Sequence, residues 1–410
     1  MKNYDSKDIR NVAVLGHGSC GKTSLTGALC FAAGSSKRLG SVDEGNSLTD
    51  FSEDEIERKI SINLSVAFAE WNKVKINLID TPGYLDFIGD AYASVRAADC
   101  ALITVHAISG VEIGTEMMFR LAAGRKMPTA IFINMLDKEH ANFEKVLSQI
   151  RESFEGHFIP LTIPMGEGES FRGVVDILRR KACLGEPGAQ KGEFKAQDVP
   201  SDMAGKVDAV YKEFIESVAE LDEALMEKYF AEEPLTDEEI LGALRKGVAE
   251  RAVIPVFCGS AIKTFGIRQL LDGLAEIMPD PVMMPPRPSV KVEGGQEVMI
   301  EFKSGDPVCA LVFKTISESH VGEMSYFRLM SGTIKNGDEL INSNHGQPER
   351  LGHLSISLGR ERIEVEQLTA GDIGVVAKLK GTHTGNTLSV KSRLVKLADI
   401  DFPKPVMNVA

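Results

Sequence analysis

Residues 16–23 read Gly16-His17-Gly18-Ser19-Cys20-Gly21-Lys22-Thr23 and fit GxxxxGK[ST] in full. Glycines at this spacing let backbone N–H groups close around phosphate oxygens, and a helix opening at the end of the loop adds a favourable dipole. The Lys22 ammonium then reaches the β- and γ-phosphates, and the Thr23 hydroxyl binds Mg2+. The alternative is a glycine-rich turn that binds nothing. An apolar strand-like run before the loop and a helical pattern after it argue against that.

Asp80-Thr81-Pro82-Gly83 follows the apolar run 74–79, where a strand would end at the ligand-binding edge of an open α/β sheet. An Asp there holds Mg2+ through water, and a Gly83 N–H can approach a γ-phosphate because no Cβ intervenes. Asn134-Met135-Leu136-Asp137 also stands at a strand end. A carboxylate at Asp137 can accept from the N1–H and N2–H2 edge of guanine. Adenine lacks those donors, and a site built on such bonds rejects the analogue by about 10⁴ or more. Gly259-Ser260-Ala261 follows another apolar run and would offer a backbone N–H to guanine O6. Each piece is weak alone. Their order along the chain specifies a site for GTP and GDP with Mg2+.

The elements that must carry these residues are legible in the apolar periodicity. Runs 11–15, 74–79, 101–106 and 129–134 read as strands buried on both faces, with helical stretches at 22–33, 85–98 and 116–126 between them. The alternation predicts a mostly parallel sheet. It resumes with a strand at 253–258 and a helix at 267–277. The fold class expected is α/β: a P-loop GTPase domain over 1–156 and 251–283, with an inserted α+β subdomain over 157–250. Residues 279–288 are proline-rich and read as a stiff linker. Short runs at 310–315, 324–329, 339–342 and 374–379, punctuated by Gly-Asp and Asn-Gly turns, predict an antiparallel β-barrel domain over 284–400. Residues 401–410 read as an apolar strand beginning a further domain.

Composition narrows the class without naming a chemistry. The 410 residues are 43% hydrophobic and 26% charged, ordinary for a globular protein. No apolar run reaches the ~18 residues of a membrane span, so no membrane association and a cytoplasmic setting are expected. Six widely spaced cysteines without a CxxC pair suit reduced thiols. The net charge of −13 argues against broad adhesion to nucleic acid and against direct DNA binding. Between Ile215 and Glu250, eleven Asp or Glu stand against three Lys or Arg: solvated helix faces, or a docking surface for a basic partner.

The ordered set GHGSCGKT, ERKISI, DTPGYLDF, NMLD and GSA resembles the translational GTPases. Leu39–Ile62 resembles the first switch of elongation factor G, the long insert resembles that factor's extra subdomain, and Gly371–Leu388 resembles the closing strands of its second domain. Tyr84 in DTPGY is similar to the divergent second type of bacterial elongation factor G. The resemblance covers essentially the whole chain and implies a monomer that hydrolyses GTP on the ribosome, touching the stalk and the factor-binding region. It assigns the phosphate loop to 16–23. It makes Thr23, Ser61 and Asp80 the metal-binding set, and gives Asn134, Met135, Asp137, Ser260 and Ala261 to the base. Lys22, Gly83 and Tyr84 carry the catalytic roles.

Several positions depart from the family pattern. Tyr84 replaces a His that positions the attacking water. A phenol, ionising near about pH 10, is neither base nor cation at neutral pH, but its hydroxyl can orient water. The apolar loop residue that gates that His is Gly18 here, while Ile60 keeps the other wing of the gate. Ser61 replaces Thr, Met135 the base-site Lys, and Ser19 a cation-binding Asp. His17 should point away from the γ-phosphate, and Arg58 is either an arginine finger or a switch-loop ion pair. His106 reads as a satisfied buried histidine, His140 and His157 as surface, and Met117 and Met118 as core. Two other functions stay open: a GTP-binding ribosome-associated module with little hydrolysis, and a release-factor-type GTPase.

Overall fold

The computed structural model describes residues 2–185, 192–318 and 322–404. The chain opens with β1 (Ile9–Gly16), α1 (Lys22–Ala33), α2 (Glu53–Arg58), β2 (Ser65–Trp71) and β3 (Val74–Asp80). The first domain continues through α3 (Ile88–Ala97), β4 (Cys100–His106), α4 (Ile113–Gly124), β5 (Thr129–Asn134) and α5 (Phe143–Ser153). Strand β6 (Phe158–Pro160) adds to the same sheet.

After β6 the insert builds its own layer. Strands β7 (Thr162–Pro164), β8 (Gly173–Asp176), β9 (Lys181–Gly185) and β10 (Phe194–Gln197) form a four-stranded sheet in order β10-β9-β8-β7. Helices α6 (Ser201–Ala219), α7 (Glu223–Phe230) and α8 (Asp237–Ala249) follow. The acidic residues of these helices are partly spent on local structure. Asp222 caps α7, while Glu239 completes a capping box with Thr236 on α8 and also binds Lys228.

Strand β11 (Ile254–Cys258) and helix α9 (Ile267–Glu276) then complete the first domain. Its seven strands lie in the order β2-β3-β1-β4-β5-β11-β6, parallel except for β2 against β3. Strands β1 and β5 are buried along their whole length, as helices on both faces require. The β2–β3 hairpin turns on Asn72 and Lys73, both with positive φ (47° and 67°), the arrangement of a two-residue turn matched to strand twist. Strand β2 is not among the strands expected from sequence. Nor is β6, which lies inside the span expected for the insert yet pairs with β11 in the large sheet.

The second half is strand-rich. Strands β12 (Arg287–Lys291) and β13 (Glu297–Ile300) form a hairpin that β24 (Val395–Leu397) joins. The proline-rich stretch is thus less of a linker than expected. Asp280 caps a 3-10 turn at Pro281–Met283, and Arg287 and Pro288 already belong to β12. Between β13 and β24 lie β14 (Cys309–Glu318), β15 (Gly322–Ser331), β16 (Thr333–Lys335), β17 (Glu339–Asn342), β18 (Gln347–Arg350), β19 (Ser355–Leu358), β20 (Glu361–Glu364), β21 (Gln367–Thr369), β22 (Ile373–Ala377) and β23 (Thr387–Ser389). Eight of them make one antiparallel sheet, β18-β17-β23-β14-β15-β22-β19-β20, and β16 pairs with β21. Residues 401–404 have no regular structure; the rest of the strand expected at the carboxyl end lies outside the described residues.

Buried polar contacts join the two domains. Lys75 on β3 meets Asp372 at 2.7 Å, and Asn77 donates to the same carboxylate at 3.0 Å. Arg328 on β15 is fully buried and binds Asp99 at 2.8 Å and the Ala97 carbonyl at 2.8 Å. Asn11 completes the set, donating to Asp99 and to the Gly371 carbonyl, each at 2.9 Å. These groups are hydrogen-bonded as buried charge requires. They hold the β-rich domain against the amino-terminal halves of β1 and β3 without any covalent constraint. All six cysteines are free and buried. Among the described residues, no helix is long and apolar enough to cross a membrane.

Candidate nucleotide site

The phosphate loop spans the gap between β1 and α1. Gly21 caps the helix at φ 88°, a left-handed conformation that a side chain would strain. Lys22 is buried and crosses beneath the loop, donating to the His17 carbonyl at 2.7 Å. Two other loop side chains are engaged away from the cradle or buried beneath it. His17 Nδ1 accepts from the Gly114 amide at the start of α4 (3.2 Å), and its other nitrogen lies 3.6 Å from Glu112. Cys20 is buried under the loop, where desolvation pushes its thiol pKa up. Ser19 is exposed with φ 62°. The His17 and Cys20 side chains are thus unavailable to a phosphate.

The strand β3 ends in Asp80, buried with Oδ2 accepting the Thr49 hydroxyl at 2.5 Å. Its Oδ1 is buried with no partner among the described residues. The Thr23 and Ser61 hydroxyls stand 2.9 Å apart. Asp50 lies beside them. Burial raises the Asp80 pKa to about 6 despite the Thr49 bond. Burial, then the neighbouring Asp80 charge, raises that of Asp50 to about 7. Two desolvated carboxylates with an orphaned oxygen and a pair of hydroxyls are a donor set suited to a hard cation. Thr23, Ser61 and Asp80 therefore fit Mg2+. Thr81, in contrast, is committed to structure: its hydroxyl donates to the Val14 carbonyl at 2.7 Å. Pro82 is buried beside it.

Gly83 then meets the loop so closely that a Cβ there would fall 2.3 Å from Lys22 Nζ and 2.7 Å from the Gly18 amide. Only glycine fits that approach. Tyr84 follows, its ring over Gly18: a Cβ on Gly18 would lie 3.2 Å from the Tyr84 Cζ. Tyr84 is 41% exposed, so this ring is held by the missing side chain of Gly18 more than by a pocket. Arg58 is exposed, and no ion pair among the described residues includes it. The salt bridge considered from sequence is not formed.

At the base side, Asn134 ties two loops together. It donates to the Cys20 carbonyl at 3.1 Å and accepts from the Ala261 amide at 3.0 Å. Asp137 Oδ1 is buried without a partner among the described residues, the condition expected of a carboxylate meant for a ligand donor. Met135, at φ 67°, brings its terminal methyl to within 3.0 Å of a Cβ built on Gly21. The amides of the Gly259-Ser260-Ala261 turn are engaged within the protein. They donate to Ile133, Phe265 and Asn134 respectively, so none is free for guanine O6 without rearrangement. The Ile262 amide, next along, has no acceptor among the described residues.

The histidines and methionines divide. His106 is half-buried rather than buried, because it ends β4, and its Nδ1 accepts from the Ile108 amide at 3.0 Å. His140 and His157 are exposed. Met118 is core, with Met117 packed against it. Thr49, Asp50 and Glu55 are the site-adjacent residues that sequence reasoning missed. For Glu55 a signal existed, the S-x-x-E spacing of Ser52 and Glu55, which forms a capping box. Nothing local marks Thr49 or Asp50.

Comparison with known proteins agrees with this arrangement. Residues 7–280 match the elongation factor Tu GTP binding domain, and residues 307–391 match elongation factor G domain 2. A crystal structure of a protein from Thermus thermophilus is similar at 31% identity and a TM-score of 0.82, over 93% of this chain and 54% of that one. The chain thus spans about half the length of that relative. With a GTP-binding domain followed by that second domain, the chain belongs to the translational GTPase family, on the elongation factor G side of it.

Proposed function

We propose that this protein binds GTP with Mg2+, hydrolyses it, and couples the γ-phosphate's presence to its switch segments on the ribosome. The observation that carries the reading is the cradle at Thr23 and Ser61, 2.9 Å apart beside Asp80 with its orphaned oxygen. When bound, Mg2+ would neutralise charge on the β- and γ-phosphates. The chain's own residues do the rest. Lys22 neutralises phosphate charge from beneath the loop, and the Gly83 amide approaches the γ-phosphate where no side chain intervenes. Asp137 accepts from the guanine edge, Met135 covers the base, and Asn134 holds the two loops in register. Tyr84, poised over Gly18, orients water by its hydroxyl without taking a proton. The reading treats the protein as a cytoplasmic monomer, with the acidic insert and the factor-binding face turned to the ribosome.

One observation favours a second reading, a GTP-binding module with little hydrolysis: the group beside the phosphate loop is a phenol, 41% exposed, and not an imidazole. Single-turnover GTP hydrolysis with and without ribosomes separates the two. Hydrolysis stimulated by ribosomes supports the first. Bound GTP that persists in both conditions supports the second, and failure to retain GTP refutes both.

A further inference from the structure

Beyond the nucleotide cradle, the segment between α1 and β2 is held at its carboxyl end by groups outside the phosphate loop. The amides of Ile62 and Asn63 both donate to Glu55 Oε1 at 3.1 Å. The next amide, Leu64, donates to Asp90 Oδ2 on α3 at 2.5 Å. The Leu64 carbonyl accepts from Lys314 Nζ, on β14 of the other domain. Three successive amides after Ser61 therefore end on carboxylates of the first domain, and the following carbonyl ends on an ammonium of the second.

The position of Lys314 is built by the strand. The β14–β15 register shifts between Val312 and Lys314, so Phe313 is an extra residue, fully buried. A bulge of this kind re-aims the side chain that follows it. The Lys314 ammonium is desolvated there, among the negative charges of Asp90, Glu55 and Glu318. A charged donor removed from water and given a single backbone carbonyl makes a stronger bond than an exposed one.

We propose that Lys314 is a positioning residue for the γ-phosphate-sensing segment: with Asp90 it clamps both backbone groups of Leu64 and so fixes where Ser61 stands. This rests on the reading of Ser61 as the group that meets Mg2+ in the GTP-bound form. It makes the β-rich domain part of the apparatus that distinguishes GTP from GDP, because only the GTP form needs Ser61 in place. A merely structural lysine would affect both nucleotides alike.

The test is the affinity of the full chain for a non-hydrolysable GTP analogue with Mg2+ and, separately, for GDP. Lys314→Met should weaken the analogue roughly tenfold, as expected for one hydrogen bond from a charged donor, and leave GDP within about twofold. Lys314→Arg should restore most of the loss. Trypsin cleavage after the exposed Arg58 and Lys59 gives a second readout. The analogue should slow it in the wild type and not in Lys314→Met. Asp90→Asn, which loosens the other side of the clamp, should reproduce the selective loss, so a poorly folding lysine variant does not end the test. Unchanged nucleotide discrimination in both variants, or equal weakening of analogue and GDP, overturns the proposal. If the wild type itself binds neither nucleotide, the GTPase reading fails first, and that outcome is visible without any variant.

Discussion

Replacing Gly18 with Val asks whether Tyr84 acts where the structure sets it. A Cβ at residue 18 would sit 3.2 Å from Tyr84 Cζ and 3.4 Å from both Cε atoms, already tighter than ordinary carbon contacts. The two further methyls of Val would overlap the ring, so Tyr84 must swing away. Swinging costs little, since 41% of the residue is already in water. Burial lost there is a fraction of an aromatic side chain, below about 1 kcal/mol. Position is another matter: a displacement of ~1 Å in a positioning group costs about 100-fold in rate, or roughly 2.7 kcal/mol of barrier. Gly18→Val should therefore keep its melting temperature and its GDP affinity, and lose about two orders of magnitude in ribosome-stimulated single-turnover hydrolysis. Tyr84→Phe, which leaves the ring and removes the hydroxyl, should show a similar loss, and the double variant should be no worse than either alone. Hydrolysis at the wild-type rate in Gly18→Val would refute the argument that the glycine exists to seat the phenol.

Three other outcomes follow from the same geometry. Asp137→Asn should move nucleotide preference from GTP toward xanthosine triphosphate, because the buried acceptor becomes a donor; competition binding with unchanged GTP preference would contradict the base assignment. Arg328→Met leaves Asp99 buried with Asn11 and, at 3.6 Å, Arg287. With those partners kept, the cost should fall below that of an uncompensated buried charge, at about 1–3 kcal/mol, and urea unfolding unaltered within about 0.5 kcal/mol would show that the interface does not depend on the pair. The pair Asp50 and Asp80 makes the nucleotide-free protein pH-sensitive. Both pKa values are raised, to about 7 and about 6, so the folded state holds protons more tightly than the unfolded chain. Their contribution is complete at low pH and is lost as pH rises from about 4 towards 7. Asp50→Asn should flatten that slope in thermal melts without Mg2+, and an identical slope in the variant would argue against the assignment.

Much of the architecture is written in local pattern. Strands buried on both faces carry unbroken apolar runs, so β1, β4, β5 and β11 are visible, and α1 is bounded by its own glycines. The loop at 16–23 and the approach of Gly83 are equally legible, because a backbone that must come close to another group admits only glycine. Strand β2 carries its own apolar run at 66–69 and is readable from sequence, though it is not among the strands expected, whereas the three-residue β6 has no pattern of its own and is recruited by pairing with β11 across almost a hundred residues. The acceptors of the Gly259-Ser260-Ala261 amides are not legible in sequence for a related reason. Sequence gives a loop its residues and not the acceptors its N–H groups find, and here Asn134 and Phe265 reach them first. Asp50 and Thr49 come up against Asp80, and Lys314 grips Leu64 from 250 positions away, only because the fold brings distant segments together. Sequence determined which chemistry the chain carries, since side-chain type and spacing are local. Tertiary structure decided which groups remain unpartnered and which domain reaches Leu64, because burial and long-range hydrogen bonding exist only in the folded chain.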